Sequence, residues 1–244
     1  MSAAVPQALN LVWPTLIPAI LAMLGALLGT VWRPGPHTRS SVQHFTAGVV
    51  LAAVGAELLP ELGAAPPLGM ALGFLLGGGA MLAIRALVGE EEDDEAEGAP
   101  AGRGSTGLMV TVGVDLLVDG LLCAVTLAAV PESGLVVVAA LSLEVFFLGL
   151  ATVVTLGGGG PAMAKMSGLA LLVPVGALIG AAAFSALPAV MQTGILAFAT
   201  AALLYLVAEE LLAEAHEGTR DNTYSAGAFF LGFLAVLLLN ALGG

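Results

Sequence analysis

Eight stretches of about twenty mostly apolar residues, parted by glycine, proline or charge, decide what this chain can fold into. A helix of that length spans the ~30 Å hydrocarbon core of a bilayer, where only helices and closed barrels satisfy every backbone hydrogen bond. The stretches run Ala8–Trp32, Gln43–Leu62, Pro67–Val88, Gly107–Val130, Gly134–Leu156, Lys165–Leu187, Ala189–Ala215 and Thr223–Leu242. Arg33-Pro-Gly-Pro ends the first, Pro66-Pro67 parts the second from the third, and Pro188 divides the sixth from the seventh. Composition agrees, with 59% hydrophobic and 10% charged residues, against a soluble average of about 25% charged. The expected fold is all-α, a single bundle of eight membrane helices over residues 1–244. No Lys or Arg precedes Arg33, so the first stretch lacks the basic flank of a secretory signal and reads as a retained span.

The bases orient the bundle. Arg33, Arg39, Arg85, Arg103, Lys165 and Arg220 all fall in or beside odd-numbered connections, leaving the termini and the even connections without Lys or Arg. The positive-inside rule makes the odd connections cytoplasmic and puts both termini outside. His37 is placed in the first connection with no role attached. Seven of the acids behind the net charge of −12 form one run, Glu90–Glu97. They place an acidic cytoplasmic loop at residues 89–106, either a solvated linker or a weak metal-gathering mouth. No basic patch exists for nucleic acid, and the one cysteine, Cys123, excludes an internal disulfide.

Acids inside spans are the chemically informative residues, because an ionised carboxylate at the bilayer centre costs about 2.5 kcal/mol or more. Asp115 and Asp119 lie near the middle of the fourth span, four residues apart and so on one helix face. Glu144 lies at similar depth in the fifth. Every base is near the cytoplasmic boundary, so these three acids are expected to bind a cation, hold protons or face water. Glu57 and Glu61 sit in the outward half of the second span, as a candidate entrance. Glu209, Glu210, Glu214 and His216 sit toward the inner end of the seventh, as a candidate exit or as merely interfacial residues at a helix end. His44, at the start of the second span, reads as a helix-end residue or a ligand. Enzyme chemistry has little support: no HExxH or GxSxG occurs, and two aspartates on one helix are poorly placed to straddle a substrate.

In these residues the chain resembles the ZIP family of divalent metal transporters. His44-Phe-Thr-Ala-Gly-Val-Val through Glu57-Leu-Leu-Pro-Glu61 is similar to the family's second span, and Asp115-Leu-Leu-Val-Asp119-Gly120 to its fourth-span HNxxEG-type motif. Ser167-Gly-Leu through Gly180 resembles the sixth span, and Tyr205-Leu-Val-Ala-Glu209 through Glu214 the seventh. The departures are specific. Asp115 replaces the usual His and Leu116 the Asn, while Val145, Leu148 and Val173 stand where further polar ligands are usual. Of the binuclear site common in the family, the resemblance leaves one half, Asp115, Asp119 and Glu144, as in a divergent mononuclear branch.

The resemblance implies eight spans with both termini outside, pseudo-symmetric repeats, a sliding transport domain, commonly a dimer, and zinc or iron as cargo. An all-oxygen ligand set suits Mn²⁺, Fe²⁺, Mg²⁺ or Ca²⁺ at least as well as Zn²⁺. The expected function is divalent-cation transport, zinc first with manganese or iron close behind. The alternative is a metal-sensing or structural membrane protein using the same acids. No cofactor is expected, the cation being substrate. The expected partners are that cation and membrane lipid, and the expected location is the plasma (inner) membrane of a prokaryote.

Overall fold

A computed structural model describes residues 12–63, 66–96, 104–216 and 223–243. The Ala8 start of the first span, Glu97, Arg103 and Arg220 lie outside them. Among the described residues all regular structure is helical. Eight helices are long and apolar enough to cross a membrane: α1 (Trp13–Val31), α2 (Pro36–Gly63), α3 (Pro67–Ala96), α4 (Gly104–Ala129), α5 (Pro131–Thr155), α6 (Gly159–Ala186), α7 (residues 189–216) and α8 (Thr223–Gly243). The chain is a multi-pass membrane protein.

Three boundaries differ from the sequence expectation. Helix α2 begins at Pro36, so His37 and Arg39 are helical rather than in a connection. Proline is tolerated in a first turn because its missing N–H has no partner there anyway, and nothing from His37 to Gln43 breaks a helix. For the same reason α6 starts at Gly159 with Pro161 in its first turn, and Lys165 is helical. The reversal before it uses Gly157, Gly158 and Gly159, all at positive φ, a region that side chains disfavour. Finally, the backbone of α3 continues to Ala96 and α4 begins at Gly104, shortening the expected 89–106 loop. Glu90–Ala96 contains neither Gly nor Pro, and Glu and Ala are good helix formers.

Three spans are locally irregular. In α6 the helix is interrupted at Leu171, where Pro174 cannot donate to the Ala170 carbonyl. Helices α2 and α7 each contain a π-helical segment, Val54–Leu58 and Leu206–Leu211.

The packing repeats itself. Helix α1 packs chiefly on α5 and α4 on α6, while α2 packs on α8 and α3 on α7. Exchanging α1 with α6, α2 with α7, α3 with α8 and α4 with α5 turns each pair into another. Five crossings separate exchanged members of the outer triplets, so the triplets traverse a membrane in opposite directions and form an inverted repeat. Small residues set the approach. A Cβ on Gly25 would lie 1.8 Å from the Phe146 carbonyl oxygen of α5, and one on the equivalent Gly176 would lie 1.9 Å from that of Leu117 in α4. Such backbone-to-backbone contact is how helices associate where no hydrophobic drive separates them from lipid.

Helices α4 and α5 exchange with one another, so they flank the pseudo-twofold axis at the centre of the bundle. Their inward faces supply the buried Leu116, Leu122, Leu141 and Val145. Helices α3 and α8 show broad exposed apolar faces, with Leu75, Leu76, Phe230 and Leu239 among them. Among the described bases, Arg33 donates from Nη2 to the Gly157 carbonyl at 3.0 Å. That contact ties the α1–α2 and α5–α6 connections together at one end of the bundle.

Candidate metal centre

The central pair of helices brings Asp115, Asp119 and Glu144 together. Carboxylate oxygens of Asp115, Asp119 and Glu144 all lie within 4.8 Å of one another. Two oxygens bound to one ion at ~2.1 Å are at most ~4.2 Å apart, so small side-chain rotations would bring all three onto a single cation. The placement follows from helix geometry. Asp115 and Asp119 share a face of α4 by their i, i+4 spacing. Asp115 and Glu144 are equivalent across the axis, each five residues before a glycine, Gly120 or Gly149, that seats against a neighbouring helix. The residue equivalent to Asp119 is Leu148, so the third acid breaks the symmetry.

Asp119 is fully buried, Glu144 is 4% exposed, and Asp115 is half-buried. Three carboxyl groups so close repel one another when ionised, and low dielectric amplifies the repulsion. A divalent cation or bound protons would relieve it.

A cavity of about 560 Å³ adjoins the cluster, with Asp115 and Glu144 in its wall. It continues past Gln43 and Thr46 of α2 to Trp32, Arg39 and Arg85, at the base-bearing end. The cluster therefore communicates with one end of the bundle.

The other sequence candidates lie elsewhere. Glu57, in the π segment of α2, accepts a hydrogen bond from Asn240 Nδ2 of α8 at 2.6 Å. Glu61 is exposed in the last turn of α2. Both lie toward the opposite end of α2 from the cavity-lining Gln43 and Thr46. Glu209, in the π segment of α7, forms an exposed ion pair with Arg85 of α3, so a base already holds this carboxylate. The side chains of Glu210, Glu214 and His216 lie outside those described. His44 is buried, and its Nδ1 donates to the Ser40 carbonyl at 2.9 Å. Ser40 in turn meets Ser225 of α8 at 3.3 Å between hydroxyl oxygens, which ties this part of α2 to α8. Sequence reading passed over Thr46, whose hydroxyl lacks the capping or motif context that would mark it in one dimension.

Fold and site define a class: an all-helical membrane protein with a buried three-carboxylate cluster between inverted repeats. No family model matches this chain. The chain is similar to the zinc transporter GufA of Myxococcus xanthus, with 33% identity over 127 residues. The match spans 50% of this chain and 49% of that protein, about half the length of each. That similarity supports the resemblance to ZIP transporters, and the relative is a transporter by name rather than an enzyme.

Proposed function

We propose that this chain transports divalent metal cations across a membrane, zinc first with manganese or iron close behind. Asp115, Asp119 and Glu144 form the transport site. The observation that carries the reading is the cluster itself, three acids within 4.8 Å of one another between two inverted repeats, since acids inside spans are rare and mark ion pathways. The similarity to a zinc transporter supports the same cargo class.

In this reading the cavity is the path between the site and the cytoplasm, because the base-bearing end faces inward by the positive-inside rule. Both termini then lie outside, in the plasma (inner) membrane. The cation arrives past Glu57 and Glu61, whose charge raises its local concentration. Rocking of one repeat against the other exposes the site alternately to each side, the behaviour expected of inverted-repeat transporters.

Purified protein in vesicles loaded with a fluorescent chelator tests this reading. Saturable, time-dependent entry of Zn²⁺ and Mn²⁺ is expected, falling to the empty-vesicle rate in Asp119→Ala. Wild-type vesicles no faster than empty ones would overturn it.

A further inference from the structure

One buried threonine hydroxyl departs from the behaviour of its peers. Threonines buried in a helix ordinarily turn their hydroxyl back to a carbonyl three or four residues earlier. The other buried threonines do so: Thr15 donates to Val12 at 2.6 Å, Thr126 to Leu122 at 2.9 Å, Thr152 to Leu148 at 2.7 Å and Thr200 to Leu196 at 2.8 Å. Thr46 is 1% exposed, and its Oγ1 has no hydrogen-bond partner among the described residues. A buried hydroxyl left so is costly, although the same backbone turn at Val42 is available to it. Thr46 also lines the cavity that holds Asp115 and Glu144 in its wall.

We infer that Thr46 is a substrate-contacting residue, its hydroxyl accepting a hydrogen bond from a water carried by a divalent cation at the carboxylate cluster. The inference rests on the reading of that cluster as a cation site. The chemistry fixes the class of cation favoured. Carboxylates supply negative charge, whereas a hydrated ion also needs neutral oxygen on the opposite wall to hold its remaining waters. Gln43 and Thr46 of α2 line the same cavity as Asp115 and Glu144. Six-coordinate cations such as Mn²⁺ retain waters in a site of three protein oxygens. Zn²⁺ is readily four-coordinate and sheds more of them. Thr46 therefore contributes more to Mn²⁺ than to Zn²⁺, and shifts the site's preference toward the harder ion.

Two near-isosteric variants test this, with Mn²⁺ and Zn²⁺ affinity measured on the purified full chain and uptake measured in vesicles. Thr46→Val deletes the hydroxyl and keeps the shape. It should weaken Mn²⁺ affinity about fivefold, the effect of one hydrogen bond, change Zn²⁺ less, and leave thermal stability equal or higher. Thr46→Ser should restore the wild-type values. A stable Thr46→Val that matches wild type for both ions, while Asp119→Ala abolishes binding, would overturn the role of Thr46 and leave the cation site standing. Equal weakening for both ions would overturn the selectivity. Wild-type protein that binds neither ion would overturn both the inference and the cluster reading. Binding without uptake would overturn transport alone, and the Thr46 comparison would still be decided from the affinities.

Discussion

The two inverted repeats share a scaffold and differ in chemistry. Each outer triplet contains a π segment that bears a glutamate, and each glutamate reaches a helix of the other triplet. Glu57 of α2 meets Asn240 of α8, and Glu209 of α7 meets Arg85 of α3. The partners are equivalent, because Asn240 lies eight residues after Gly232 and Arg85 eight residues after Gly77, but the glutamates are offset by one: Glu57 lies twelve residues after Phe45, on which Gly232 closes, and Glu209 eleven after Phe198, on which Gly77 closes. A neutral amide leaves Glu57 with its negative charge, while a guanidinium cancels that of Glu209. At the centre, Asp115 answers Glu144 across the axis, but Asp119 faces a position filled by Leu148. Packing has kept the symmetry because glycine contacts depend on backbone shape alone. Charge has not: Glu57 meets an amide, Glu209 meets a guanidinium, and a third acid stands on one side of the axis.

The largest expected effect comes from removing that third acid. Asp119→Leu makes the centre symmetric in apolar residues and should abolish uptake while the helices still assemble, since a leucine already occupies the equivalent place on α5. The swap Asp119→Leu with Leu148→Asp moves the acid across the axis. If the number of carboxylates near the axis sets cation binding, the double variant should regain measurable Mn²⁺ affinity on the purified protein. Loss in both variants would show that the side matters as well as the number.

A smaller effect is expected from softening the two symmetric acids, Asp115 and Glu144. Imidazole favours Zn²⁺ over Mn²⁺ more than carboxylate does. Asp115→His and Glu144→His should each raise the zinc-to-manganese uptake ratio, by roughly tenfold, equivalent to ~1.4 kcal/mol. Their equivalence predicts shifts of similar size. Competitive uptake at matched membrane abundance reads the ratio, and an unchanged ratio in an active variant would remove that residue from direct contact with the cation.

Much of this was legible in one dimension because it depends on local spacing. Eight spans follow from apolar length, and the meeting of Asp115 with Asp119 follows from a four-residue interval. The convergence of Glu144 needed only similar depth on the next helix. What the sequence hid depends on partners far along the chain. Nothing near Glu209 announces that Arg85, 124 residues away, holds it, and so it was grouped with free exit ligands. The start of α2 at Pro36 was obscured because polar residues from His37 to Gln43 resemble a connection when judged by hydropathy, although they carry no helix breaker. Thr46 looks like any span threonine until the hydroxyls of its peers are seen turned back on their own helices. The equivalence of Leu148 to Asp119 emerges only when Gly120 and Gly149 are found in matching contacts.

The smallest expected effect concerns the charge difference between the two ends. Arg85 is exposed, as is Glu209, so their ion pair contributes little to stability. Arg85 nevertheless stands in the cavity wall with Arg39, and its charge acts on any cation there. Arg85→Gln leaves the Glu209 charge uncancelled and brings this end closer to the state of the Glu57–Asn240 end. Cation affinity should rise modestly, about twofold at low salt, and return to the wild-type value at high ionic strength, where the Debye length falls to ~3 Å. Arg85→Lys keeps the charge and should leave affinity unchanged at both salt levels. The measurement is Mn²⁺ titration of purified wild type and both variants at two ionic strengths. A gain that survives high salt would mean that Arg85 acts through the shape of the cavity rather than through its charge. No gain at low salt would show that the Glu209 pair is electrically silent at the site, and that the charge difference between the two ends does not reach the cluster.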